Sequence, residues 1–197
     1  MRPLFLENTA YGVIFGIACL IWALPEWLGS FTQRSEAGAA RRDRGSKLVM
    51  MITLDVGVGA GILLAYRLPS AAIPGDRPLV FGIGIALMLL GVGLRWYAIG
   101  VLGRFFTRDV AVRAGQTVVR IGPYRFVRHP SYSGILLTLL GVGLALGNAA
   151  SVVAMLAGAG VGLAYRVPVE ERALCEALGQ PYLDYMRQTR RFIPFVF

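Results

Sequence analysis

The sequence predicts an all-α membrane protein with about five transmembrane helices, a short helical hairpin over residues 132–165 and a C-terminal interfacial amphipathic helix. Hydrophobic residues make up 56% of the chain, charged residues only 16%, and the mean hydropathy is +0.61, which is not the composition of a soluble globular domain. The net charge of +9 comes from basic clusters separated by apolar blocks. It therefore indicates membrane topology, and no nucleic-acid partner is expected.

Three apolar blocks, residues 9–28, 48–66 and 79–102, have about the 20 residues that a helix needs to cross the hydrocarbon. We expect the first block to be retained as a helix, because Glu7 precedes it and Pro25-Glu26-Trp27 ends it instead of a small-residue cleavage site. Cys19 lies in an apolar block and Cys175 in a polar tail, so no disulfide is predicted.

The next two apolar blocks, residues 132–146 and 151–165, are each about 15 residues long, which is short for a full span. A tight hairpin that crosses a thin region, or that stops short inside the bundle, fits both blocks. The hairpin would return Arg166, Glu170 and Glu171 to the membrane face that carries His129.

The tail, residues 168–197, carries apolar residues at helical spacing and predicts an amphipathic helix at the interface. Pro168 suits the first turn of that helix. Glu170 and Glu171 would then lie where the helix dipole favours negative charge, so a capping role is an alternative interpretation of both.

Basic residues follow the first, third and fifth apolar blocks, which places these three clusters on one side of the membrane. By the positive-inside rule, the N-terminus is outside and the C-terminus is cytoplasmic. We expect the cell membrane as the location in a bacterium and the endoplasmic reticulum in a eukaryote.

Arg95 and Asp55 are charged residues within the third and the second apolar block. Arg95 is expected to snorkel or to pair inside the bundle. Asp55 is a functional candidate, since an intramembrane acid usually is, but it lies toward one end of its block and solvation or a hydrogen bond to a neighbouring helix explains it equally well. Glycines of the third block predict close helix packing: Gly82, Gly84, Gly91 and Gly93.

The chemistry of the chain is expected in residues 122–134, GPYRFVRHPSYSG. Arg125, Arg128 and His129, the only histidine, fall within five residues, and Pro130 biases His129 away from helical dihedrals. The turn exposes N–H groups next to a helix start at Ser131, which suits an anion or a carboxylate. The same arginines also fit a basic loop beside membrane helices.

This stretch, the lead-in LGRFFTRDVAVRAGQTVVRIGPY, the apolar hairpin and EERALCEALGQPYLDYMRQTRRFIP together resemble the isoprenylcysteine carboxyl methyltransferase family, integral membrane enzymes that use S-adenosylmethionine. The resemblance covers residues 95–194. It implies a single domain, residues 1–197, with variable transmembrane helices in 1–94 and a cofactor-binding and catalytic half in 95–197. No metal is implied.

The resemblance also implies roles for particular residues. Asp109 is not carried over, because some family members have a glutamine there, and Gln116 stands where many have histidine. Arg166 matches the substrate-side arginine, with a catalytic role, and Glu170 the glutamate that contacts the cofactor. The remaining residues implied for cofactor binding are Gln116, Thr117, Val118, Val119, Tyr124, His129, Pro130, Ser131 and Tyr132.

Residue chemistry agrees with these roles. Glu170 can pair with the ammonium of S-adenosylmethionine, N–H groups around His129 can bind its carboxylate, and Arg166 can hold the carboxylate of a lipidic, isoprenylcysteine-like acceptor among membrane lipids. A carboxylate is already a nucleophile, so the reaction needs alignment and desolvation and no strong base.

Three alternatives remain. A phospholipid amine N-methyltransferase would need a deprotonated amine and gains nothing from Arg166. A sterol-reductase-like membrane enzyme would bind a dinucleotide phosphate, which the paired glutamates disfavour. A membrane scaffold without enzymatic activity is supported only by the glycines, which helix packing alone could explain.

Overall fold

The computed structural model describes residues 3–32, 40–41, 43–113 and 115–193. Arg34, Glu36 and Arg42 of the first basic cluster lie outside the described residues. The strands β1 (Ala40–Arg41) and β2 (Ala111–Val112) form a two-residue antiparallel pair. The helices are α1 (Leu4–Glu7), α2 (Thr9–Thr32), α3 (Ser46–Arg67), α4 (Arg77–Leu102), α5 (Pro130–Ala145), α6 (Ala149–Leu178) and α7 (Gln180–Gln188).

The predicted fold class is confirmed. Within the described ranges, α2, α3, α4 and α6 are long and apolar enough to cross a membrane, and α5 is a shorter apolar helix. The protein is an integral membrane protein. The hairpin is asymmetric, because α5 has 16 residues whereas α6 has 30.

Close packing joins the helices in two pairs, α4 with α5 and α3 with α6. Gly84 and Gly91 of α4 meet the backbone of α5, and a side chain at either position would overlap it. Small residues permit such approach where lipid replaces the hydrophobic driving force. Gly82 and Gly93 face open space, so only half of the predicted glycines serve this contact.

The loops gather at two ends of the bundle. At one end, Asn148 donates to the Leu68 carbonyl (2.9 Å) and the Ile73 N–H donates to the Gly147 carbonyl (2.9 Å). At the other end, Arg166 binds Asp43 (3.1 Å) next to the turn at His129. We call this second end, which holds residues 43–46, 103–113, 115–129 and 166–193, the site end.

The structure corrects the prediction for the tail. α6 continues through Pro168 to Leu178, so Pro168 lies inside a helix, and Glu170 and Glu171 are not in a first turn that they could cap. The physical reason is the buried face of α6, on which Leu163, Val167 and Glu171 recur at helical spacing across the exposed proline. The amphipathic helix is the shorter α7.

Candidate active site

A cavity of about 600 Å³ lies at the site end and extends along the helices. Its polar part is lined by residues 116–119, by the turn before α5 and by α6. Its apolar arm is lined by side chains of α2, α3 and α5, among them Trp22, Met51, Leu54, Val58, Ile62 and Leu139. One cavity therefore offers both a polar and an apolar environment.

The structure brings the residues predicted for the site to this cavity. All of them line it except Pro130, which is fully buried as the first residue of α5. Asp109, for which the family resemblance implies no role, also lines the cavity and forms an ion pair with Lys47 (2.9 Å).

The turn at His129 differs from its prediction in one respect. The Arg128 N–H donates to the Arg190 carbonyl (2.7 Å) and the His129 N–H to the Arg191 carbonyl (3.0 Å). These two donors are therefore used within the chain and do not face a ligand. Ser131 lines the cavity as the second residue of α5, where an N–H group has no acceptor within its helix.

Glu171 is the centre of a buried charge network that sequence reasoning missed. Its carboxylate accepts from Arg128 Nε (2.8 Å) and Arg191 Nη2 (2.9 Å), and His129 Nε2 lies 3.3 Å away. Arg128 also donates to the carbonyls of Met186 and Thr189. The network connects α6 and the 186–191 segment to the turn at His129, and it thereby holds the turn in place.

Glu170 differs from its neighbour in exposure and in partners. Its side chain is 28% exposed, against 5% for Glu171, and it lines the cavity. One oxygen accepts from the Tyr132 hydroxyl (2.7 Å), and the other lies 4.0 Å from His129 Nδ1. Glu170 thus presents a carboxylate to the cavity.

Arg166 is held by several partners. Its Nε donates to the Tyr132 hydroxyl (2.7 Å), its Nη2 to the Arg108 carbonyl (2.7 Å), and its Nη1 to Asp43 and Ser46. Tyr132 therefore links Arg166 to Glu170. Burial raises the pKa of Asp43, but hydrogen bonds from Lys47 and Ser46 and the charge of Arg166 outweigh it, so the pKa lies below its ordinary value.

A second basic cluster lines the cavity around Glu26, which sequence reasoning also missed. Arg95 pairs with Glu26 through Nε and Nη2, which is one of the two arrangements predicted for it, and Arg108 Nη2 lies 3.1 Å from the same carboxylate. Burial lowers the pKa of Arg108, partly against the charge of Glu26. An acid in one apolar block and an arginine in another were the signal that could have found this pair.

Residues 116–119 form no regular secondary structure, and Arg120, which follows them, donates to the Pro181 carbonyl of α7 (3.0 Å). The Gln116 side chain accepts from the Arg113 N–H (3.0 Å). Tyr185 of α7 donates its hydroxyl to the Tyr124 carbonyl (2.7 Å), and burial raises the pKa of Tyr185 to about 12. α7 therefore fixes the wall of the polar part through a neutral tyrosine.

Membrane helices around a cavity with one polar part and one apolar arm define a class, the integral membrane proteins whose ligand site lies between helices. A model of the isoprenylcysteine carboxyl methyltransferase (ICMT) family matches residues 84–176. The chain is 33% identical over 138 residues to protein-S-isoprenylcysteine O-methyltransferase A of Arabidopsis thaliana, covering 68% of this chain and 70% of that protein. The chain belongs to this family.

Two further comparisons agree. Protein-S-isoprenylcysteine O-methyltransferase B of Arabidopsis thaliana is 34% identical over 119 residues, which are 59% of this chain and 60% of that protein. A solved structure of the eukaryotic intramembrane Ras methyltransferase ICMT superposes with a TM-score of 0.60 at 26% identity, covering 74% of this chain and 52% of that chain. The chain thus spans 60% of the first protein and about half of the second.

Proposed function

We propose that this protein is an S-adenosylmethionine-dependent carboxyl O-methyltransferase that methylates the carboxylate of an isoprenylcysteine or a similar lipidic acceptor at the membrane interface. The observation that carries the proposal is Glu170. It presents a carboxylate at the polar part of a cavity whose other arm is apolar and lies between membrane helices. Membership of the family supports the same reaction.

The residues present fit the cofactor. Its amino-acid end carries an ammonium and a carboxylate, so it needs an acid and hydrogen-bond donors side by side. Glu171 is already matched by Arg128 and Arg191, which leaves Glu170 as the acid for the ammonium. Ser131 supplies donors for the carboxylate, and residues 116–119 with Tyr124 line the space for the remainder.

When bound, S-adenosylmethionine supplies a sulfonium methyl group, to which an acceptor carboxylate oxygen bonds as the carbon–sulfur bond breaks and its electron pair stays on sulfur. The acceptor is already an anion, so no residue has to remove a proton. The chain aligns the two reactants and excludes water from them. The hydrogen bonds of Glu171 and the link through Tyr132 serve that alignment.

Two arginines can hold the acceptor carboxylate. Arg166 remains our first proposal, although four of its five N–H donors already have partners within the chain. Among the described residues, Arg95 donates only to Glu26, so more of its N–H groups are left for a ligand in the cavity. A guanidinium binds a carboxylate through paired hydrogen bonds, which suits either residue.

The apolar arm would hold the lipid tail, and the cofactor would enter from the cytoplasm. The site end carries most of the arginines, so by the positive-inside rule it faces the cytoplasm, with the N-terminus outside. Residues 95–197 supply most of the polar part, in line with a cofactor-binding and catalytic half.

The experiment is methyl transfer from radiolabelled S-adenosylmethionine to a panel of lipidic carboxylates and lipidic amines, with purified protein in detergent. We expect label in base-labile methyl esters of prenylcysteine analogues. Label in the amines alone would overturn the proposal, and so would absence of transfer to every carboxylate by protein that binds the cofactor.

A further inference from the structure

Asp55 is a polar residue that the proposed reaction leaves unexplained. α3 starts at Ser46, so Asp55 lies about 13 Å along a helix of about 33 Å. The sequence suggested a position toward one end of its apolar block, but the helix bounds put Asp55 close to the middle of the membrane span. Solvation from the loops therefore does not account for it.

The face of α3 that carries Asp55 is directed to the cavity. Gly57 and Gly61 mark the opposite contact, where α3 packs against α6. Met51, Asp55, Val58 and Ile62 follow one another at helical spacing, and all four line the cavity. Asp55 is thus a carboxylate in an otherwise apolar stripe along the apolar arm.

Asp55 has no partner within the described part of the chain. No hydrogen bond or ion pair links it to a described residue, and its side chain is exposed. The other acids that line the cavity do have partners, namely Lys47 for Asp109, two arginines for Glu26 and Tyr132 for Glu170. A carboxylate without a partner at this depth costs free energy that a bound ligand can recover.

We propose that Asp55 is a specificity-determining residue, which binds a hydrogen-bond donor such as a hydroxyl on the tail of the lipidic acceptor. A site built to hydrogen-bond a substrate group rejects the analogue that lacks it, because the polar group of the site is then left unpaired. A plain hydrocarbon tail beside Asp55 would create that situation. The inference rests on the proposed function and names the acceptor more closely.

The geometry also predicts the position of the hydrogen-bond donor group along the lipidic methyl acceptor. Ser46, the first residue of α3, contacts Arg166 in the polar part (3.2 Å), whereas Asp55 lies about 13 Å further along the helix axis. A donor next to the acceptor carboxylate would not reach Asp55. A donor on the distal part of the tail would.

The test compares three N-acetyl-S-farnesylcysteine acceptors: the plain compound, one with a hydroxyl on the third isoprene unit and one with a hydroxyl on the first. Binding to the detergent-solubilised protein is measured calorimetrically without cofactor, and methyl transfer is measured separately. We expect the distal hydroxyl to tighten binding about tenfold, as a hydrogen bond to a charged group does, and the proximal hydroxyl to give no gain.

Asp55→Leu should abolish the preference for the distal hydroxyl and improve binding of the plain compound, whereas Asp55→Asn should retain part of the preference. Val56→Ala is the matched control, because Val56 is the next residue of α3, is exposed and does not line the cavity. It should keep the wild-type ranking.

Equal binding of the plain and distally hydroxylated acceptors to the wild type would overturn the role of Asp55, and so would a preference that survives in Asp55→Leu. Binding is read without methyl transfer, so the two proposals fail separately. A distal preference without any methylation would support Asp55 and contradict the methyltransferase.

Discussion

Single side chains at the site end divide into those that hold the structure and those that face the cavity. The adjacent glutamates are the clearest case, since Glu171 is enclosed by Arg128, Arg191 and His129 while Glu170 keeps a partly exposed carboxylate. The sequence presents them as an equivalent pair. Only the helix phase separates them, because neighbouring residues on α6 point about 100° apart.

Glu170→Gln should weaken S-adenosylmethionine binding by about 1.5–3 kcal/mol, the range for a hydrogen bond to a charged group. Isothermal calorimetry on detergent-solubilised protein measures the change. Glu176→Gln is the control, since it makes the same substitution on α6 away from the cavity. Unchanged affinity of Glu170→Gln would remove this residue from the cofactor site.

Arg166→Lys should lower methyl transfer to a prenylcysteine analogue while S-adenosylmethionine still binds, because lysine keeps the charge but loses the planar fork. The measurement is kcat and KM for the acceptor at saturating cofactor, beside the cofactor Kd. Arg172→Lys, an exposed α6 position outside the cavity, serves as control. Full activity of Arg166→Lys, together with a loss of activity in Arg95→Lys, would show that Arg95 binds the acceptor carboxylate and that Arg166 does not.

At the scale of the elements, apolar length and small residues predicted the helices, because both follow from the lipid environment alone. α3 and α4 each begin two residues before the predicted apolar block. The end of α6 was not predictable, because Pro168 in the sequence indicates the start of a helix. In the structure Pro168 lies on the exposed side of α6, and tertiary contacts of the buried side stabilise the helix through this position.

Gly141→Ala should destabilise the protein by about 1–3 kcal/mol, the usual cost of overpacking. A methyl group at Gly141 would overlap the backbone of Met88 and Gly84 across the α4–α5 contact. Gly93→Ala is the control, because a methyl group there meets open space. The thermal midpoint in detergent is the readout, and equal midpoints for the two variants would contradict the close α4–α5 packing.

At the scale of the whole molecule, the described parts of the loops that we predict on one side of the membrane gather at one end of the bundle, and charge patterning alone is enough to group them. The site that they form was predictable only in part. The strip at 116–119, the turn and Glu170 follow from motifs, whereas Glu26 and Asp43 come from residues 1–94, for which the resemblance supplies no motif.

The proposed orientation is tested by cysteine labelling in a variant with Cys19→Ala and Cys175→Ala. Ser70→Cys, at the end opposite the site, should react with a membrane-impermeant maleimide on intact cells, whereas Ala177→Cys, at the site end, should react only after permeabilisation. The opposite pattern would invert the topology and put the site end outside.

Ion pairs between residues 1–94 and residues 95–197 limit how far either segment can be exchanged or excised on its own. Glu26 balances Arg95 and Arg108, and Asp43 balances Arg166, so three arginines within residues 95–197 have their ion-pair partners within residues 1–94. An excised 95–197 fragment would retain these arginines without their counter-ions, within a membrane where unbalanced charge is costly. For the same reason, chimeras that exchange the first helices among relatives need Glu26 and Asp43 to be transplanted with the arginines that they neutralise, and we expect these positions to change together in evolution.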